Sequence, residues 1–299
     1  MNKVVVLGSI NMDMVMETER LPKVGETLLG ETIDYYVGGK GANQAVAAAR
    51  VGAEVSLVGK IGDDTFGSKV YQHLKNEKID MTAVTSEQNI FTGVASIFKL
   101  KEDNAIVVLP GANMLLNEVD ELLSEKINTG DVLLTQLEIP LETVKGGLAL
   151  AKDKGGLTIL NPAPYNEKVI EMLPFVDIIT PNETEFEGLL GHEISDINKF
   201  EDEMLNWAKQ NQTQLIVTRG AFGISYTTEN EVITIPAKTV NVVDTTGAGD
   251  TFNGILAACI TQGVDVADAV KIAGNGATLS VTKLGAQTGM PTMAEIEAF

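Results

Sequence analysis

The chain alternates short, almost uninterrupted apolar runs with longer stretches of helical period. Residues 4–9, 55–59, 132–136, 158–161, 178–180 and 215–218 are rich in Val, Ile and Leu. They lack the apolar–polar alternation of a strand with one wet face, so both faces are expected to be covered. Between them, residues 43–51, 66–77, 141–154 and 199–210 place apolar side chains at helical spacing. These segments are long enough for right-handed crossovers between parallel strands, and the order predicts a doubly wound α/β sandwich of three layers. Two segments break the rhythm in the same way. Residues 27–37 (TLLGETIDYYV) and 91–109 (FTGVASIFKLKEDNAIVVL) have strand composition, the second with an Asp103-Asn104 turn signal. They are expected to pair into a small β-sheet lid, the alternative being extra antiparallel strands at the edge of the main sheet. A further hairpin is expected from residues 223–228 and 232–235 around Glu229-Asn230. No repeat, low-complexity tract or Pro/Ser-rich linker interrupts the chain, so residues 1–299 read as a single α/β domain with lid segments at about 12–37 and 90–110.

Composition then narrows the function classes. Twenty-two Lys+Arg against 41 Asp+Glu give a net charge of −19, with no basic run. Binding to nucleic acid or to an anionic membrane needs clustered cations and is not expected. No apolar stretch approaches the roughly 20 residues that span a bilayer. The start of the chain has no basic leader or cleavage signal, which predicts a cytoplasmic protein. The single cysteine, Cys259 between Ala258 and Ile260, is expected to be a buried filler.

Four places put small or polar residues where a strand hands over to a loop, which is where ligands bind in open α/β sheets. In residues 243–254 (VDTTGAGDTFNG), small residues precede a helical pattern running from Asp250 to Ile260. Consecutive backbone N–H groups at such a helix start suit an anion. Asp250 there reads either as a helix cap or as a general base beside charge developing on a transferred phosphoryl group. The glycine spacing matches neither a P-loop, which needs Lys-Ser/Thr after the last glycine, nor a dinucleotide fingerprint. Residues 38–45 (GGKGANQA) enter an Ala-rich helix, with glycines that permit close approach of a ligand and Asn43 suited to cap the helix or to bind a hydroxyl. Residues 8–13 (GSINMD) offer Asn11 and Asp13 either to polyol hydroxyls or to a turn. In residues 180–185 (TPNETE), Asn182 and Glu185 have capping-box spacing and also suit a nucleotide and magnesium site.

The glycine motif at 38–43, followed by Gly52 and Gly62, and the motif at 244–254 together resemble the two signatures of the ribokinase family of carbohydrate and nucleoside kinases. The segments 8–13, 136–138, 161–164, 180–185, 218–223 and 281–287 extend the resemblance over essentially the whole chain. It implies ATP-dependent phosphorylation of D-ribose at the 5-hydroxyl, under a lid that excludes water. It further implies that Asn11, Met12, Asp13, Gly39, Lys40, Gly41, Ala42, Asn43 and Glu138 surround the sugar and that Asp250 takes the proton of the 5-hydroxyl. By the same resemblance, Gly247, Ala248, Gly249 and Asp250 would form the anion hole for the γ-phosphoryl group. Asn182 would contact nucleotide phosphates, Glu185 would hold Mg²⁺ through water, and Thr218, Arg219, Gly220, Ala221, Phe222 and Gly223 would line the ATP site. A monovalent cation, usually K⁺, is implied at Asp244, Thr246, Ser280, Lys283, Gly285 and Gly289, mostly through backbone carbonyls. Where the family pattern has an Asn or His near adenine, this chain has Gly274 followed by Asn275. Either Asn275 serves there or backbone and apolar contacts alone hold the base.

Within this reading, unsupported lid strands leave edges to protect, which predicts a homodimer formed through the lid. The alternatives are a kinase for 2-deoxyribose, fructose or adenosine, or a catalytically silent sensor of sugar or nucleotide on the same fold. His73 and His192 are not spaced as metal ligands, and Trp207 reads as packing or rim. Lys60 and Arg219 suit either a phosphate or a salt bridge.

Overall fold

In the computed structural model of the protein, residues 2–100, 104–194, 196 and 199–299 are described. The strands in chain order are β1 (Val4–Leu7), β2 (Asn11–Glu17), β3 (Thr32–Gly38), β4 (Val55–Gly62), β5 (Asp80–Glu87), β6 (Gly93–Lys99), β7 (Asn104–Leu109), β8 (Val132–Thr135), β9 (Leu157–Leu160), β10 (Ile178–Ile179), β11 (Gln214–Thr218), β12 (Ile224–Thr227) and β13 (Val232–Ile235). The helices are α1 (Lys40–Arg50), α2 (Thr65–Asn76), α3 (Asp120–Lys126), α4 (Leu141–Asp153), α5 (Glu183–Leu190), α6 (Phe200–Asn211), α7 (Ala248–Thr261), α8 (Val266–Ser280), α9 (Ala286–Gly289) and α10 (Met293–Glu297).

Nine strands form the main sheet in the order β13-β12-β11-β10-β9-β8-β1-β4-β5. The pairs from β11 through β5 are parallel, and the expected hairpin β12–β13 adds two antiparallel strands at one edge. Successive side chains of one strand enter different cores: Val4 and Val6 join one cluster with α1 and α7, while Val5 and Leu7 join the other with α4. Burial on both faces is why these strands read as unbroken apolar runs.

The lid is a four-stranded sheet in the order β3-β2-β6-β7. Its inner strand β2 falls in the lid segment expected at about 12–37 but was not expected as a strand: residues 11–17 follow closely on β1 and pair with β3 antiparallel and with β6 in parallel. Most of β2 is only half-buried, and its Asn, Asp and Met composition carries no strand signal. Within the segment 27–37, the strand begins only at Thr32. Edge strand β5 (DMTAVTSE) was likewise absent from the sequence pattern, since its exposed flank is polar. Of the expected Asp103-Asn104 turn, Asp103 lies outside the described residues and Asn104 opens β7.

Helices α1 and α7 pack with almost no space between them. A Cβ added at Gly254 of α7 falls 2.3 Å from the Gln44 carbonyl and 3.0 Å from the Ala48 nitrogen, both in α1. Replacing Gly254 with Ala is therefore expected to destabilise the fold by about 1–3 kcal/mol, because overpacking against backbone outweighs the better helix propensity of alanine. Thermal melts check this, and a variant as stable as the parent contradicts it.

Candidate active site

The carboxyl ends of β1, β8, β9, β10 and β11 open at one edge of the main sheet. The chain leaves β1 toward β4 on one flank and later returns to β8 on the other. A cleft forms where the strand order reverses in this way. Ser9, Asn11 and Asp13 follow β1, Gln136 and Glu138 follow β8, Asn161 follows β9, Asn182 follows β10, and α1 and α7 contribute their first turns.

Asp250 lies buried at the start of α7. It does not cap its own helix, whose N-cap is Gly247 at φ 77° with no side-chain hydrogen bond. Its Oδ2 accepts from Asn43 Nδ2 and its Oδ1 from Gln44 Nε2, both at 3.0 Å. Asn43 and Asp250, far apart in sequence, are thus brought together. Glu138 Oε2 accepts from Ser9 Oγ at 2.6 Å and from the Lys40 backbone N–H at 3.3 Å. Asn11 Oδ1 accepts from Asn113 Nδ2 at 2.8 Å, which leaves the Asn11 amide nitrogen to donate to a ligand.

The electrostatics are unusual for an acidic pocket. Burial, reinforced by the charges of Glu138 and Asp250, pushes Asp13 up to about 7. Burial also raises Glu185, with the Asp250 charge adding to it and Lys40 opposing. For Lys40, burial works against the cation, yet Asp250, Glu138 and Glu185 outweigh it and hold its pKa above the usual value. One half-buried lysine therefore serves several carboxylates.

On the other side of the α7 N-terminus lies a cavity of about 490 Å³. Of the residues expected at the nucleotide, Thr218, Gly220, Ala221, Gly223, Ala248, Gly249 and Asn275 line it, with Gly274 beside Asn275. Asn182, Arg219, Phe222, Gly247 and Asp250 do not. The Arg219 guanidinium pairs with Glu183 at 3.0 Å and stacks 4.1 Å from the Phe200 ring. Phe222 is 69% exposed. Asn182 and Glu185 form a complete capping box on α5, with Asn182 N–H to Glu185 Oε2 at 2.9 Å and Glu185 N–H to Asn182 Oδ1 at 2.8 Å.

The loop holding Asp244 and Thr246 meets the segment that runs from Ser280 at the end of α8, through Lys283 and Gly285, to Gly289 at the end of α9. Asp244 accepts from the N–H groups of Thr246 at 2.9 Å and Gly285 at 2.8 Å. Burial opposes its ionised form, but these donors outweigh burial and hold its pKa below the usual range. A Cβ at Gly289 falls 2.2 Å from the Ser280 carbonyl oxygen. The Lys283 side chain instead reaches Glu295 at 3.5 Å. Among the described residues, no group of three or more His, Cys, Asp or Glu is placed to hold a metal by itself.

The secondary candidates are structural. Lys60 pairs with Glu87 at 3.0 Å, Trp207 packs edge-on to Phe186, and His192 is exposed. Cys259 is fully buried, and burial pushes its thiol up to about 11. Sequence reasoning missed Gln44, Asn113, Gln136, Asn161 and Gln287 as individual groups. Several sit inside the motifs already singled out, where a lone amide among small or apolar neighbours was the available signal.

The chain belongs to the pfkB family of carbohydrate kinases, whose model matches residues 1–293. It is 41% identical to a ribokinase of Lactococcus lactis over 303 residues, covering 100% of this chain and 97% of that one. It is 39% identical to a ribokinase of Bacillus subtilis, covering 99% of each. Its fold matches the structure of an Arabidopsis thaliana ribokinase complexed with ribose and ATP, with a TM-score of 0.89, 30% identity and coverage of 99% and 98%. No helix among the described residues is long and apolar enough to cross a membrane.

The raised pKa of Asp13 has a consequence for stability. The folded chain keeps this proton up to about pH 7, whereas the unfolded chain releases it near 3.8, so stability falls as pH rises through that interval. Asp13→Asn removes the ionisable group and is expected to melt a few degrees above the parent at about pH 8, with the gap closing by about pH 4. A gap that does not change with pH contradicts the assignment.

Proposed function

We propose that the protein transfers the γ-phosphoryl group of ATP to the 5-hydroxyl of D-ribose, giving D-ribose 5-phosphate and ADP, with Asp250 as general base. The observation that carries this reading is the position of Asp250. Its carboxylate lies at the first turn of α7, with the polar groups of Asn43 and Lys40 on one side and the 490 Å³ cavity reaching Ala248 and Gly249 on the other. The similarity to ribokinases over the full chain supports the choice of sugar.

Asn11, Asp13, Asn43 and Glu138 bind the sugar hydroxyls, with Met12, Gly39, Lys40, Gly41 and Ala42 forming the surrounding wall. As the 5-oxygen attacks phosphorus, its proton passes to Asp250, and ADP leaves with the electron pair of the broken P–O bond. The first N–H groups of α7, over Gly247 to Asp250, meet the negative charge that builds on the transferred group. Lys40 balances carboxylates that would otherwise repel the triphosphate.

The donor chemistry fits two cations. With no protein-only site for a divalent ion among the described residues, Mg²⁺ would be held by the nucleotide phosphates, by Glu185 through water and by Asn182 nearby. It would neutralise phosphate charge. Asp244 and the carbonyls of Thr246, Ser280, Lys283, Gly285 and Gly289 are hard oxygen donors suited to K⁺, and the close approach of Gly289 to the Ser280 carbonyl is one that a side chain would block. Adenine is served by the apolar wall of the cavity together with Asn275.

The same reading makes the lid the contact surface of a homodimer. Ile33 and Tyr35 on β3 and Ile106, Val107, Val108 and Leu109 on β7 are all about half exposed, and β3 and β7 are the unpaired edges of the lid sheet. A second copy would cover this surface. We assign the reaction to the cytoplasm, where ATP is available and Cys259 needs no partner.

Assays with ATP, Mg²⁺ and K⁺ on a panel of D-ribose, 2-deoxyribose, fructose and adenosine are expected to favour ribose by at least about tenfold, since hydroxyl-reading sites discriminate strongly. Another acceptor ahead of ribose sinks the substrate assignment. Asp250→Asn is expected to lose about 10³-fold or more in kcat with ATP binding retained, and near-normal turnover rules out the general base. Light scattering is expected to give twice the chain mass for the parent and a monomer for Ile106→Lys/Val108→Lys; a monomeric parent contradicts the dimer.

A further inference from the structure

The hydrogen bonds on Asp250 continue away from the site as two lines of buried amides. Gln44 Nε2 donates both to Asp250 Oδ1 and, at 3.2 Å, to Asn161 Oδ1. Gln44 Oε1 accepts from Gln136 Nε2 at 2.6 Å. On the other oxygen, Asn43 Nδ2 donates to Asp250 Oδ2, Asn43 Oδ1 accepts from Gln287 Nε2 at 2.9 Å, and Gln287 Oε1 faces His73 Nε2 at 2.9 Å.

The carboxylate fixes the direction of both lines. An ionised carboxylate only accepts, so Asn43 and Gln44 must turn their nitrogens toward it. Their oxygens then need donors, which orients Gln136 and Gln287. Gln287 Oε1 is left to accept from His73, so His73 carries a proton on Nε2.

These lines are a poor way to stabilise a fold. Gln44 is fully buried, and Asn43, Gln136 and Gln287 are nearly so. At the end of one line, Gln136 Oε1 is one of two buried side-chain atoms without a hydrogen-bond partner among the described residues. A Cβ at Gly8 would lie 2.1 Å from that oxygen. An unpaired buried carbonyl costs about 1–3 kcal/mol, and a partly satisfied network is inferior to apolar packing. What the lines do achieve is orientation, because both oxygens of one carboxylate are held by donors whose own direction is set further out.

We infer that Gln44 and Gln287 are positioning residues for phosphoryl transfer: neither is among the residues proposed to surround the sugar, and each orients the Asp250 carboxylate, Gln44 directly and Gln287 through Asn43. Gln44 fixes Oδ1, and Asn43, itself held by Gln287, fixes Oδ2, so that the remaining lone pairs face the hydroxyl to be deprotonated. This rests on the reading of Asp250 as the general base. It also gives His73, in α2, a place at the outer end of the catalytic hydrogen-bond network.

The test uses the purified full-length protein and the variants Gln44→Met, Gln287→Met and Asp250→Asn, with kcat, KM and the pH profile of kcat measured beside melting temperature. Gln44→Met is expected to lower kcat about 10–100-fold with KM for ribose within about threefold. The acid limb of its kcat profile is expected to move to higher pH, because the ionised carboxylate has lost a donor. Gln287→Met is expected to move both quantities the same way by less. Should Gln44→Met not fold, Gln136→Met, one step further from Asp250, is expected to show the same direction. Normal kcat and an unmoved acid limb in the folded variants overturn the inference, as does a change confined to KM or to melting temperature. Normal turnover by Asp250→Asn instead removes the general base itself, so the two failures are distinguishable.

Discussion

Helices α1 and α7 approach so closely at Gly254 that backbone meets backbone, and the geometry of the site follows from that contact. One helix brings Asn43 and Gln44, the other Asp250, and the 3.0 Å hydrogen bonds between them form only at this separation. The same contact sets where the α7 N-terminus points, and in the proposed reading that end separates the sugar side of the cleft from the nucleotide side. The parallel sheet supplies the remaining groups by ending its strands on the same edge. Packing at a glycine and chemistry at an aspartate are one constraint seen at two depths.

Charge in the cleft is arranged by burial and not by number. Glu138, Glu185 and Asp250 crowd one lysine, Asp13 adds to the charge beside Glu138 and Asp250, and the protein as a whole carries −19. A triphosphate is attracted to such a surface only where backbone N–H groups and metal cations supply the positive potential. The acidity that excludes nucleic acid is therefore compatible with a small polyanion. In the proposed reading it also calls for cations, since the carboxylates around Lys40 leave little side-chain charge to neutralise a triphosphate. Asp13 eases the crowding by retaining its proton to about 7.

The parallel strands were legible because burial on both faces writes itself as continuous Val and Ile, as in Val4–Leu7. Lid strand β2 and edge strand β5 were not, because half-covered strands carry Asn, Asp, Thr and Met and leave no periodic trace. Asn43 and Asp250 stood out as polar groups at glycine-marked handovers. Their supports did not. Gln44 meets Gln136 across 92 positions and Gln287 meets His73 across 214, and a single amide in its own segment has no local pattern. Asn182 and Glu185 show the opposite case, since their three-residue spacing announced the capping box while leaving their part in ligand binding open. Arg219 suited either a phosphate or a salt bridge by type, and it makes the salt bridge to Glu183, while its place over the Phe200 ring depends on packing that spacing does not express.

The bonds that hold the Asp250 carboxylate join residues 206, 207 and 244 positions apart in the chain or secure those that do. During synthesis, Asn43 and Gln44 leave the ribosome long before Asp250, and Gln287 leaves near the end. Every strand of both sheets precedes Asp250 in the chain. Under the proposed function, a chain cut after β13 would therefore keep all of these strands and lose its general base.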